Sequence, residues 1–373
     1  MTRLADDPAV VQRIFDHIDN RSTDRAESTW REPVASYRDP ARFERELAHV
    51  LRRTPTPFCP SAALTGAGAY LARSAAGVPL VAVRGRDGSA RVFRNACRHR
   101  GMQVAEGAGC KRVLVCPYHA WTYDLDGSLR GVPHEDGFPG LDKAGRGLVP
   151  VASVERHGLV FVNQDGADAM PDLDEIGGLL TPEHRVIGSS EQEVEANWKI
   201  VTEGFLEGYH LQALHPDTFY PIQFDNLNVV ERFGRNDRIA FPYRRIERQR
   251  EAPAAERSAE KVLTYVYHLF PNVMLVTFAT NITMVVVEPI AVDRSRLVNY
   301  TLTRRDPGEP EQRDKLDRDL QFIAAGTAQD LGAARAIQRG LASGANEFFE
   351  FGLFEGAIGH FHRMLHELAD APA

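Results

Sequence analysis

Cys97-Arg98-His99-Arg100-Gly101 and, a little further on, Cys116-Pro117-Tyr118-His119 bring two thiols and two imidazoles into one short stretch. Each Cys precedes a His by two or three positions, so each loop offers one ligand of either kind. A [2Fe–2S] cluster with two Cys on one iron and two His on the other is a Rieske centre, and its imidazoles raise the reduction potential far above that of an all-Cys cluster. The competing occupant is a Cys₂His₂ zinc ion, but structural zinc sites pair Cys with Cys and His with His along the chain. Cys97, His99, Cys116 and His119 are therefore read as the ligands of one [2Fe–2S] cluster. Such a cluster only moves electrons, and the rest of the chain has to give them a destination.

Short β-rich runs surround this stretch. Residues 78–83 and 91–93 flank Arg86-Asp87-Gly88, a hairpin signature. Residues 113–115 lead into the second ligand loop, Asp126-Gly127 turns the chain, and 158–163 read as a closing strand. A small antiparallel domain over 51–166, with its ligands on two hairpin tips, is expected. Before it, residues 10–18 and 41–51 have apolar positions at helical spacing, until Pro55, Pro57 and Pro60 end the pattern. This segment, 1–50, is expected to pack on the C-terminal domain. Residues 167–178 are acidic and contain Gly and Pro, as a linker does. A second domain, 167–373, should hold a helix over 197–214, strands within 262–287 broken at Pro271-Asn272 and Thr280-Asn281, and a strand over 296–303. Three helices, 313–326, 328–341 and 349–368, should close the chain.

The chain has 373 residues, enough for two domains with separate cores. A formal charge of −7 without a basic tract argues against a nucleic-acid partner. No apolar run approaches the length of a membrane span, and Met-Thr-Arg-Leu-Ala-Asp-Asp lacks a signal core, which points to the cytoplasm. Four cysteines leave Cys59 and Cys110 outside the cluster, as buried thiols in preference to a disulfide. Gly66-Ala67-Gly68 lacks both a preceding strand and a third Gly, so no nucleotide site is read there.

A second constellation is His210 and His215, with Pro216 ending any helix beside them. Two His are two-thirds of the 2-His-1-carboxylate triad of non-haem Fe(II) oxygenases, which leaves coordination positions open. Alone, such a pair is commonly structural; beside a one-electron relay it is a destination. Asp330, Glu203 and Glu207 compete as the carboxylate. Asp330 is placed at a helix start, where capping also favours Asp. Glu207, three residues before His210, suits orientation of a ligand His. The substrate pocket is expected to draw on Phe205, Leu206, Phe219, Phe224, Met274, Val276, Phe278, Asn281, Met284 and 346–354. That apolar, aromatic set suits a ring, and equally a quaternary ammonium group held by cation–π contact. His360, His362 and His366 follow a helical spacing and are not read as ligands.

The chain resembles the α subunits of Rieske non-haem iron oxygenases, the ring-hydroxylating oxygenase group, over about 60–365. The resemblance is carried by the Cys97/His99/Cys116/His119 motif, by Asn197-Trp198-Lys199 with Tyr209-His210 and His215, by Tyr-His-Leu-Phe-Pro-Asn at 267–272, and by Gln329-Asp330 with Gln338-Arg339-Gly340-Leu341. It implies an α+β fold: an antiparallel-β Rieske domain plus a helix-grip (START/Bet v1-like) catalytic domain with a curved antiparallel sheet and a long C-terminal helix. It favours Asp330 as third ligand of a mononuclear Fe(II) with His210 and His215. It implies a homotrimer in which Glu207 bridges one subunit's cluster to the next subunit's iron. Electrons would come from NAD(P)H through a separate ferredoxin or flavin reductase, and O₂ would oxidise a small organic molecule. Many relatives have Asn where this chain has Gly204, which leaves extra space near the iron. Hydroxylation of an aromatic or cyclic substrate is the first reading. A monooxygenase or N-demethylase of a quaternary ammonium compound is the second, and a Rieske electron carrier without oxygenase activity is the third.

Overall fold

Asp6 starts the first helix: its carboxylate accepts from Ala9 N at 3.0 Å. Val10, Val11, Ile14 and Phe15 then form the buried stripe of α1 (Asp7–Asn20). β1 (Trp30–Pro33), α2 (Ala35–Arg38) and α3 (Pro40–Arg45) follow, and helical winding continues over Glu46–Leu51. The computed structural model describes residues 4–166, 173–305 and 308–371, so 167–172 of the expected linker lie outside the described residues. The chain divides into two units, Leu51–Val186 and Met1–Val50 with Ile187–Ala373.

The smaller unit is built from β2 (Thr56–Pro60), β3 (Ala69–Ala75), β4 (Val78–Arg84), β5 (Ala90–Arg94), β6 (Ala108–Cys110), β7 (Leu114–Val115), β8 (Thr122–Tyr123), β9 (Leu129–Gly131), β10 (Pro150–Arg156) and β11 (Leu159–Asn163). One sheet has the order β2-β11-β10-β5-β4-β3-β6 and a second the order β7-β8-β9. The β4–β5 hairpin closes at Asp87-Gly88, where Gly88 takes φ +82. Val81, Val83, Phe93, Leu114, Trp121 and Tyr123 form the core, with Cys97 and Cys116 embedded in it.

In the larger unit come β12 (Arg185–Val194), α4 (Trp198–Glu203), α5 (Leu211–Leu214), β13 (Val229–Phe233), β14 (Asn236–Pro242), β15 (Leu263–Leu269), β16 (Val273–Thr277), β17 (Ile282–Ala291), β18 (Arg294–Thr303), α6 (Pro310–Leu341), β19 (Phe348–Phe351) and α7 (Gly356–Ala369). The seven-stranded sheet runs β12-β18-β17-β16-β15-β14-β13. Cross-strand partners share a face, so Val266, Val276, Thr283 and Thr301 form one row across four strands. Among the described residues no helix is long and apolar enough to cross a membrane.

Four local expectations change. The helix over 197–214 is two short helices with a turn between them. Gly208 lies in that turn, where a Cβ would come within 3.0 Å of the Phe241 ring, and Glu207 takes up the backbone N–H groups of Tyr209 and His210 with its carboxylate. The helices 313–326 and 328–341 are one, α6. Gly326 is there for packing, since its absent Cβ would sit 2.3 Å from the Phe219 ring. Asp330 therefore lies within a helix and does not open one. The stretch 349–368 begins as strand: β19 pairs with β1, Trp30 opposite Phe351, and α7 starts only at Gly356. The aromatic residues Phe348, Phe349 and Phe351 favour that strand.

Candidate metal centres and their cavity

The first ligand loop leaves β5 and the second leaves β7. Each is a tight turn closed by backbone hydrogen bonds, Gly101 N to Cys97 O (2.9 Å) and Ala120 N to Cys116 O (3.0 Å). Gly101 and Ala120 take φ +80 and +57 there, so both loops hold a left-handed residue just past the ligands. Tyr123 locks the pair from below: its hydroxyl lies 3.2 Å from Cys97 Sγ and accepts from Arg98 N at 2.9 Å. Cys97 and Cys116 are buried and unbridged, whereas His119 is exposed. The His99 and His119 rings lie 4.7 Å apart, and His99 stacks on Trp121 at 5.0 Å and 8°. His99 Nδ1 is buried with no hydrogen-bond partner. An orphaned imidazole nitrogen above two buried thiols is the donor set a Rieske cluster takes. Cys59 and Cys110 are both free thiols, Cys59 buried and Cys110 exposed.

The second centre grows out of the α4–α5 turn. Asn197 caps α4 by accepting from Lys199 N (2.9 Å), and its own N–H donates to Gln338 of α6 (2.9 Å). His210 precedes α5 and His215 follows it, so a single helical turn carries both imidazoles to the same side. Their ligand atoms and a carboxylate oxygen of Asp330 all lie within 4.8 Å of one another. His215 Nε2 is 2.9 Å, and His210 Nε2 3.6 Å, from Asp330 Oδ1. The opposite ring nitrogens are spoken for. His215 Nδ1 donates to Gln329 Oε1 (2.9 Å), which also accepts from Thr218 Oγ1 (2.7 Å). His210 Nδ1 meets Glu207 Oε1. Both Nε2 lone pairs are thus left facing Asp330, the arrangement in which outer partners fix imidazoles for a metal. Three donors on one side, two N and one O, fit an open-faced divalent iron site.

Glu203 is not in this group. It accepts from Tyr37 Oη (2.7 Å) and pairs with His362 Nε2 (2.8 Å). His360 bonds Asp237 (3.0 Å) and His366 bonds Glu32 (3.1 Å), so all three late histidines are held by buried carboxylates. Glu355, near Glu207 and Glu203, is pushed up to about 7 by burial first and then by those two carboxylates.

A cavity of about 490 Å³ opens from the triad between one face of the large sheet and α6. Phe205, Phe219, Val276 and Phe278 line it, as expected. Phe224, Met274 and Asn281 do not, and neither do Leu206, Met284 or 346–354. Phe224 instead lies under the Arg244 guanidinium (5.3 Å), and Asn281 Nδ2 donates to Thr280 (3.2 Å). Met274 shares the sheet face but is fully enclosed in core, and Met284 is enclosed as well. The helix wall is the larger omission. Asp319, Phe322, Ile323, Thr327, Leu331 and Arg335 all line the cavity from α6. Their three-and-four spacing with Asp330 carries that signal, which a helix break at Gly326 conceals.

Known proteins agree with this architecture. Residues 181–371 match the family described as Ring hydroxylating alpha subunit (catalytic domain), and 54–151 match the Rieske [2Fe-2S] domain. The carnitine monooxygenase oxygenase subunit of Escherichia coli (strain K12) is 28% identical over 366 residues, covering 91% of this chain and 94% of the relative. A quaternary ammonium Rieske monooxygenase in complex with L-carnitine superimposes with a TM-score of 0.77 at 22% identity, over 99% of both chains. Naphthalene 1,2-dioxygenase from Rhodococcus sp. gives 0.75 at 20%, over 98% of this chain and 99% of that one. A catalytic-domain match leaves no ground for an electron carrier alone. The chain belongs to the ring-hydroxylating alpha-subunit family, and its Rieske domain and mononuclear-iron catalytic domain make it the terminal oxygenase of a system fed by a separate reductase.

Proposed function

We propose that this oxygenase hydroxylates a carbon beside the nitrogen of a small quaternary ammonium compound, using Cys97, His99, Cys116 and His119 for the cluster and His210, His215 and Asp330 for the iron. The observation that carries the substrate reading is the aromatic lining of the cavity: Phe205, Phe219, Phe278 and Phe322 face it, and Phe219 sits edge-on to His215 with centroids 4.8 Å apart. Ring faces stabilise a desolvated methylammonium group by about 0.5–2 kcal/mol each. Relatives acting on carnitine, whose names specify such a group, point the same way.

When bound, the iron activates O₂ and the cluster supplies electrons one at a time. The net change is R–H + O₂ + 2 e⁻ + 2 H⁺ → R–OH + H₂O, and a hydroxyl on a carbon bonded to N⁺ then releases a tertiary amine and a carbonyl compound. The protein's part is placement. Gln329 and Glu207 hold the two imidazoles, the phenyl rings hold the ammonium head, and the sheet wall excludes water. Glu207 also joins His210 to the next subunit's cluster within a homotrimer. Exposed apolar groups support that contact: Met102 (40%), Val115 (40%) and Tyr118 (54%) ring the cluster ligands, and Tyr209 (58%) flanks Glu207.

Aromatic hydroxylation is the second reading, since the same phenyl rings suit an arene and naphthalene dioxygenase shares the fold. Turnover with a surrogate reductase, on a panel of trimethylammonium compounds and arenes, separates the two. Amine release with carbonyl formation is the expected result. Hydroxylated arenes with no amine released would replace the first reading by the second.

A further inference from the structure

The aromatic rings account for part of the cavity and leave the rest unexplained. α6 contributes Arg335, half-buried and lining the cavity. Among the described residues it makes no ion pair and no hydrogen bond. Uncharged polar groups line the cavity as well. Ser190 and Gln192 of β12 and Asn299 of β18 line the same cavity, and Asn299 Nδ2 donates to Ser190 Oγ at 3.4 Å. The acids that alternate with Ser190 and Gln192 on β12, Glu191 and Glu193, pair with Arg296. The cavity's second guanidinium differs. Arg245 is exposed and lies over the Tyr243 ring at 4.5 Å, and Asp319, which accepts from Thr280 at 2.6 Å, acts on the same Tyr243.

We infer that Arg335 is the anchor for a substrate carboxylate, so that the substrate is a zwitterion with ammonium and carboxylate at opposite ends. This rests on the quaternary-ammonium reading and extends it. Five residues separate Arg335 from Asp330, about 7.5 Å of helix rise. Helical side chains lean toward the N-terminus, so the guanidinium reaches back toward the triad. A short ω-ammonio carboxylate would then lie with its head against the phenyl rings and its tail at Arg335. A planar fork of donors suits a carboxylate, and a neutral arene would leave that fork unpaired against the cavity.

The test is binding to the metal-loaded enzyme, by calorimetry, of two probes of equal length, 4-(trimethylammonio)butanoate and 4-(trimethylammonio)butan-1-ol. The wild type should prefer the carboxylate by at least about ten-fold. Arg335→Leu should weaken the carboxylate about 10- to 100-fold, and by at least ten-fold more than it weakens the alcohol. Arg335→Lys should recover part of the loss, because the charge remains and the fork does not. Equal weakening of both probes, or none for the carboxylate, overturns the anchor even if amine release continues and the substrate reading stands. If neither ammonium probe binds but benzoate does so through Arg335, the anchor stands and the ammonium reading falls. If nothing in this set binds, both fall.

Discussion

Gly326→Ala puts the helix and the cavity in direct opposition. On helix propensity the change stabilises α6 by about 1 kcal/mol, since Gly in a helix interior is among the worst residues and Ala the best. Against it, the new Cβ would stand 2.3 Å from Cε2 and 2.4 Å from Cζ of Phe219, where ordinary contact begins at 3.4 Å. The tip of that ring has to withdraw by about an ångström. Overpacking of this kind costs about 1–3 kcal/mol in a closed core, but one side of Phe219 is open cavity, so the ring can yield. The propensity gain then roughly offsets the packing loss. The expected Tm change is within about 4 °C, at about 2–4 °C per kcal/mol for a domain this size. Function does not share that balance. The ring moves off His215 (centroids 4.8 Å) and Phe322 (5.4 Å) and into the space a substrate would fill. Losing even one aromatic contact of about 1.4 kcal/mol costs ten-fold in binding. Thermal unfolding and ligand titration on one preparation should thus separate, with stability held and affinity down about ten-fold or more. Adding Phe219→Leu should recover part of that affinity, because the shorter side chain clears the Cβ. Wild-type affinity in Gly326→Ala, or a double variant no better than the single, would refute the reasoning.

Gln329→Leu removes the acceptor that holds His215 Nδ1, and should lower affinity for the mononuclear iron about 10- to 100-fold with the cluster intact; iron counts before and after mild chelation read this out. Glu207→Gln keeps an oxygen for His210 but removes the charge of the proposed bridge. Both metal sites should fill while turnover falls at least about 100-fold, and wild-type turnover would sink the bridge. Glu32 tests the buried acid network. Burial alone would raise its carboxyl pKa, but the His366 hydrogen bond and the His362 charge outweigh it and hold the value at about 2. A depressed carboxyl pKa stabilises the fold above its unfolded value of 4.5 and loses that stabilisation as pH falls from 4.5 toward 2. Glu32→Gln should therefore lower Tm clearly at pH 7 and approach the wild type as pH falls from 4.5 toward 2, followed by differential scanning calorimetry; a pH-independent gap would mean the loss is packing alone.

The two centres differ in how far the sequence exposes them. Cluster ligands sit on two loops short enough for spacing alone to state the coordination, and His210 and His215 are five residues apart across a single helical turn. Asp330 could not be reached by such counting. Its closeness to His215 depends on α6 crossing the sheet, and the capping argument that first favoured it fails because the residue sits inside that helix. It reaches the two imidazoles by facing inward from a helix wall. Gly326 conceals that wall: propensity reads Gly as a break, whereas here the missing side chain admits the Phe219 ring. Likewise β19 read as helix because its partner, β1, lies in the first fifty residues and pairing across that distance leaves no local trace.

The same reasoning explains why substrate chemistry is the last thing to emerge from this chain. A metal ligand is recognisable by residue type, because few side chains can do its work. A cavity wall is recognisable only by direction. Val276 and Met274 occupy the same sheet face two residues apart, yet one meets the cavity and the other is sealed in core. Arg335 looks like any solvated helix arginine until the phase of α6 is fixed by Asp330 and Leu331. Once it is, a guanidinium without a partner among the described residues lines the same cavity as the His210–His215–Asp330 group and the phenyl rings. On the proposed substrate reading, a molecule charged at only one end would leave either the rings or the guanidinium without a role.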